Sequence, residues 1–271
     1  MANHDWVDAS YYSVLKEKKL KDRESIRNNC IFAKSNRYKK QITIMSKVNS
    51  KKYLSNPGPI DLSHIRDTSE KALQRALLLQ TIEGQNSVFN EEKIEWLDIE
   101  LPVIITPCSR RPSIDLIGRD SQGTLVLCEV KFNNGNDSPH KAEMEILGYL
   151  AEIFLHHEEL DKNNIHHPNM THSTFNWGEL INTKPRVFII ANCGYWENWQ
   201  RMFDKEWKKN TDKSKALANG MRIKDNSIEC YSIDIDKNYF KNQFDIKSKT
   251  KEESYKPVLN VFEWTKIDPL N

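Results

Sequence analysis

"LVLCEVKF", residues 125–132, decides how the rest of this chain is read. Side chains along a strand alternate, so residues two apart share a face. Val126, Cys128, Val130 and Phe132 make one wholly apolar face. Leu125, Leu127, Glu129 and Lys131 make the other, apolar at its start and charged at its end. A short run that is apolar on both sides is a core strand. An acid and a base at the end of such a strand are costly unless they are paired or hold an ion.

Working outward, "SIDLIGRD" (113–120) and "GTLVLCEVKF" (123–132) read as a hairpin turning around Ser121-Gln122-Gly123. Asp115 interrupts the apolar neighbours Ile114 and Leu116. In an antiparallel hairpin with so short a turn it falls beside Glu129. Upstream, "DTSEKALQRALLLQTIEG" (67–84) is a helix, with capping-box spacing from Asp67 to Glu70 and a stop at Gly84. "KIEWLDIELPVIIT" (93–106) is a strand, or two divided by Pro102. Downstream, "HKAEMEILGYLAEIFLHH" (140–157) is a long helix and 158–184 is irregular. "RVFIIANC" (186–193) is an apolar strand, and "WENWQRMFDKEWKKN" (196–210) an amphipathic helix. "NSIECYSIDI" (226–235) is a strand, and "KPVLNVFEW" (256–264) one more. This order predicts an α/β protein with a mixed sheet flanked by helices.

Asp115 followed by Glu129-Val130-Lys131 resembles the motif of the PD-(D/E)XK nuclease superfamily, an acid on one core strand and D/E-x-K on the next. The resemblance extends to the order of elements from about 67 to 193. It implies a restriction-endonuclease-like core and a metal-dependent endonuclease acting on DNA phosphodiester bonds, in restriction, repair or phage defence. Asp115, Glu129 and the carbonyl of Val130 would hold Mg²⁺ or Mn²⁺, since carboxylate and carbonyl oxygens suit hard cations. Lys131 would orient the attacking water or stabilise the transition state. Glu70 stands where members of the superfamily often add a further acid, and it would equally complete the capping box with Asp67. Ile114 replaces the proline that often precedes the first acid. Glu145 and Tyr149 stand where some relatives carry glutamine and tyrosine. They lie opposite the stripe Met144, Leu147, Ala151 and Phe154, which makes them a solvated polar face. A homodimer would allow both strands to be cut. The alternative is a nucleic-acid- or protein-binding module on the same fold without catalysis.

Charge adds a partner to this picture. Residues 16–52 carry thirteen Lys/Arg against three acids, a net +10, in a chain whose total is +2. Such asymmetry suits a polyanion. Residues 1–60 therefore read as a basic extension or subdomain, ended by "SNPGP" (55–59), ahead of a nuclease-like domain over 61–271. Lys39 and Lys40 in the extension, and Arg110 and Arg111 before the first-acid strand, are the candidate contacts to a phosphate backbone. DNA is the expected partner, with RNA an open alternative.

Five scattered cysteines without C-x-x-C, a mean hydropathy of -0.70 and no long apolar run point to a cytoplasmic protein without disulfides or membrane contact. The histidines at 156, 157, 166, 167 and 172 match no closed zinc site. The stripe Trp196, Trp199, Phe203 and Trp207 has the spacing of core packing. No phosphate-binding glycine loop and no G-x-S-x-G nucleophile motif occurs.

Overall fold

A computed structural model describes residues 70–101, 113–133, 139–162, 175–198, 228–242 and 263–267. The basic extension with Lys39 and Lys40, the pair Arg110 and Arg111, His166, His167 and His172, and Trp199, Phe203 and Trp207 lie outside the described residues.

Helix α1 (Glu70–Ile82) precedes a hairpin of β1 (Ser87–Phe89) and β2 (Glu92–Leu101). A second hairpin follows, β3 (Ile114–Asp120) and β4 (Leu125–Lys131). Helix α2 (Pro139–Lys162) and the short α3 (Trp177–Leu180) lead to β5 (Arg186–Asn192). Strands β6 (Ile228–Ile233) and β7 (Trp264–Ile267) complete the order. Pairing is antiparallel from β1 to β4, parallel from β4 through β5 to β6, and antiparallel again from β6 to β7.

The sheet does not stay open, and this corrects the restriction-endonuclease-like core expected from sequence. β1 pairs with β7 in parallel, Phe89 opposite Trp264, and the seven strands close into a barrel. β1 itself has three residues and was absent from the expected strands. It is made by a two-residue turn in which Asn90 and Glu91 both take positive φ, 49° and 70°. That is the backbone of a type I′ hairpin, whose twist matches the strands it joins. Closure is cemented by aromatic rings. Phe89 stacks on Trp264 at 4.8 Å and meets Tyr231 at 5.0 Å, Phe188 at 5.5 Å and Trp96 edge-on at 5.9 Å. Burying large rings in such offset and edge contacts offsets the cost of pairing two strands so remote in sequence.

One face of all seven strands converges on a single apolar cluster, joined by Leu73 and Leu77 of α1. A second cluster lies on the other face of β2–β5, where Leu125, Leu127 and Val187 meet Ile146, Tyr149, Leu150 and Ile153 of α2. β4 is buried along its whole length because it serves both clusters. Its even residues feed the first and its odd residues begin the second, which is the alternation read from "LVLCEVKF". Glu129 and Lys131 continue the odd face at the carboxyl end of β4.

Candidate active site

The hairpin turn sets the register. Asp120 Oδ1 accepts from the backbone N–H groups of Gln122 and Thr124, each at 2.9 Å. Gly123, at φ 80°, supplies the left-handed residue the turn needs. Leu116 then pairs with Cys128. The same register carried one step further sets Asp115 against Glu129. The backbone pairing stops there, and the Asp115 carboxylate replaces it: Oδ2 accepts the Val130 N–H at 2.8 Å. The aspartate therefore grips the segment that carries Glu129 and Lys131.

Lys131 Nζ donates to Glu129 Oε1 at 2.8 Å. These two side chains are 3% and 6% exposed, so the pair is essentially out of water. The other carboxylate oxygen, Glu129 Oε2, is buried with no hydrogen-bond partner among the described residues. An orphaned carboxylate oxygen in the interior is costly and unusual. Glu145 of α2 brings Oε2 to 3.8 Å from Lys131 Nζ.

Glu70 belongs to the same electrostatic neighbourhood, since its charge acts on both Asp115 and Lys131. Its placement has a local cause. Lys71 Nζ lies 3.0 Å from Glu100 Oε1, which ties the first turn of α1 to the end of β2. There Leu101 pairs with Ile114, next to Asp115.

Carboxyl groups outnumber the ammonium here, and burial resists their charge. Burial pushes the Asp115 carboxyl up to about 7, against the pull of Lys131 and the Val130 N–H and with a push from Glu70 and Glu145. Burial, then Asp115, also raises Glu129 well above the usual carboxylate range, with Lys131 acting the other way. Burial alone would lower Lys131, but Glu129, Asp115, Glu70 and Glu145 together outweigh it and hold the ammonium charged. Among the described residues one ammonium thus faces four carboxyl groups.

Two features on α2 and β5 overturn or extend the sequence reading. Tyr149 is buried, packed among Leu127, Ile146 and Leu150, and its hydroxyl feels Glu129, Glu145 and Asp115. Together with the approach of Glu145 to Lys131, this replaces the solvated polar face expected for these two residues. Asn192, at the end of β5, was not singled out from sequence. Its Oδ1 accepts the Asn133 N–H at 2.7 Å, and its Nδ2 donates to Asn133 Oδ1 at 3.0 Å and to the Ile235 carbonyl at 3.1 Å. This clasp fixes the chain two residues past Lys131, with Asn133 held at φ 55°. A polar residue closing the apolar run "RVFIIAN" was the available signal.

The residues present fit a small hard cation. Asp115 retains Oδ1, Glu129 retains the orphaned Oε2, and a cation would take the place of the protons that burial favours on these carboxyls. Two carboxylates are enough for Mg²⁺, which keeps several of its waters. Among the described residues no three His, Cys, Asp or Glu side chains enclose a metal as they stand. Among the described residues, too, no helix is long and apolar enough to cross a membrane. No protein-family model, no curated protein and no solved structure matches the chain.

Proposed function

We propose that this chain is a metal-dependent phosphodiesterase acting on DNA, with a site of the PD-(D/E)XK type built from Asp115, Glu129 and Lys131. The observation that carries the reading is the orphaned, buried Oε2 of Glu129 beside a second carboxylate and a buried ammonium. A structural ion pair alone would leave neither the unpaired oxygen nor the surplus of acids, because buried pairs persist when their remaining polar atoms are satisfied. The closed barrel departs from the core that the superfamily implies, so the proposal rests on the site and not on the fold.

In this reading Asp115, Glu129 and the carbonyl of Val130 hold Mg²⁺ or Mn²⁺. Such a cation supplies charge neutralisation at the phosphate and a more acidic water. Lys131 places its ammonium where negative charge develops on the phosphate, and its burial strengthens that effect. Glu70 adds a negative charge at the edge of the site and Tyr149 keeps bulk water from its α2 side. Arg110, Arg111, Lys39 and Lys40 are the proposed contacts to the DNA backbone, and binding through them weakens steeply with salt.

The test is nicking of supercoiled plasmid with Mg²⁺ or Mn²⁺, the parent chain beside Lys131→Ala. Cleavage that EDTA abolishes and the variant lacks is the expected result. Intact plasmid with both proteins refutes catalysis on duplex DNA; retardation of that plasmid at low salt would then support a binding module.

A further inference from the structure

We propose that Glu145 is a second anchor for the Lys131 ammonium, which passes from Glu129 to Glu145 when a divalent cation enters the Asp115–Glu129 pair. This rests on the metal-site reading above and assigns Glu145 a positioning role within it.

Lys131 Nζ is 2.8 Å from Glu129 Oε1 and 3.8 Å from Glu145 Oε2. The ammonium is therefore committed to Glu129 and only approaches Glu145. A cation held by Glu129 would share that carboxylate with the ammonium, and two positive charges so close repel in a buried site. Lys131 cannot relieve this by swinging into water, because its side chain is 3% exposed. Its backbone is held too, since the preceding Val130 N–H is bonded to Asp115 and Lys131 itself is paired opposite Ala191 of β5. The four-carbon stem can move. Closing the gap to Glu145 to an ordinary charge-assisted distance takes a displacement of about 1 Å. Glu145 is itself 18% exposed, on a helix whose neighbouring Ile146, Tyr149 and Leu150 are locked in the core. Glu145 is thus held beside the lysine.

In the cation-free protein the ammonium occupies the charge that the cation will need. With the cation bound, Glu145 keeps the ammonium in the site and oriented. Without Glu145 the ammonium stays on Glu129 and competes.

Calorimetric titration of the full chain with Mn²⁺ tests this through a double-mutant cycle of Glu145→Gln and Lys131→Met. In the parent background Glu145→Gln should weaken Mn²⁺ binding by about tenfold, within the range of couplings between contacting charges. In the Lys131→Met background the same change should alter affinity by less than about threefold. The cation-free melting temperature of Glu145→Gln should stay near that of the parent, which a merely structural role would not allow. Lys131→Gln takes the same corner of the cycle if the methionine variant does not fold. An equal loss in both backgrounds would make Glu145 a plain charge beside the ion and overturn the hand-over. An unchanged affinity in the parent background would overturn it as well. If the parent chain binds no Mn²⁺, the metal-site reading itself falls; if it binds and the cycle is additive, only the hand-over falls.

Discussion

Asp115→Asn should make the cation-free protein more stable at pH 8 while removing its response to Mg²⁺. The Asp115 carboxyl sits at about 7 in the folded chain against an ordinary 3.8. Between these values the unfolded chain releases a proton that the folded chain keeps, so folding is favoured at low pH and loses that advantage as pH rises. At about 1.4 kcal/mol per unit, the full displacement sets a ceiling of about 4 kcal/mol. Asp115 is partly exposed, and local water and relaxation recover some of this. An effect of about 1–3 kcal/mol is the working expectation, or several degrees in melting temperature for a chain of this size. Asparagine keeps an oxygen to accept the Val130 N–H, so the grip on β4 survives. The assay is thermal unfolding in EDTA at several pH values from 4 to 8, repeated at pH 8 with Mg²⁺. The variant should gain on the parent as pH rises, and Mg²⁺ should stabilise the parent only. A difference that does not change with pH, or a variant less stable at pH 8, would refute the account of a strained carboxylate at this position.

Further outcomes follow from the fold. Phe89→Ala removes the ring that meets Trp264, Tyr231, Phe188 and Trp96, and should cost about 3–5 kcal/mol by denaturant unfolding. Gly118→Ala would place a methyl 2.8 Å from both the Glu95 carbonyl oxygen and Trp96 Cε3; since a paired strand yields little, a loss of about 1–3 kcal/mol is expected in the same measurement. At the opposite end of β5 from the site, Arg186 pairs with Glu92, Asp120 and Glu229. Burial opposes the charge on Glu229, but Arg186, Lys266 and Tyr231 hold its carboxyl below 4.5. The stability it contributes is present above that value and is lost as pH falls through its folded pKa, so Arg186→Met should flatten the rise in stability on the acid side of that value.

What could be read from sequence followed from local periodicity. β3 and β4 announce themselves by alternation and by a glycine turn, and the turn fixes a register that puts Asp115 opposite Glu129. No long-range information was needed for that pair. Closure of the barrel was of another kind. "SVF" is too short to show a period, and its partner Trp264 is distant in sequence; what joins them is the packing of rings, which becomes visible only in three dimensions. α2 failed for a third reason. Its sequence is apolar at two helical stripes, Met144, Leu147, Ala151, Phe154 and Ala142, Ile146, Tyr149, Ile153. Periodicity gives no ground for choosing between them, and the choice decides whether Glu145 faces water or Lys131. Ala142, Ile146, Tyr149 and Ile153 are buried.

That choice of helix face bears on why the site exists at all. A strand ending in Glu129 and Lys131 could have satisfied itself as an isolated pair, and a helix presenting only aliphatic side chains would have sealed it. Instead α2 brings a third charged group to the lysine, α1 adds Glu70, whose charge also acts on it, and the Asp115 carboxylate takes the place of a backbone pairing. Each of these adds negative charge where burial already penalises it. A fold that needed only stability would gain by neutralising the Asp115 carboxylate, which is the reason Asp115→Asn is expected to stabilise. The cost is sensible if the groups are arranged for a cation that joins after folding, since binding energy then returns what folding gave up. The same logic predicts an asymmetry among the acids. Glu70 and Glu145 act from helices at the rim and should tune cation affinity by modest factors when changed to glutamine. Glu129, with one oxygen on Lys131 and one unpartnered, should abolish it when changed. Mn²⁺ titration of Glu70→Gln beside Glu129→Gln would read this directly, and equal losses in the two would place the cation away from β4.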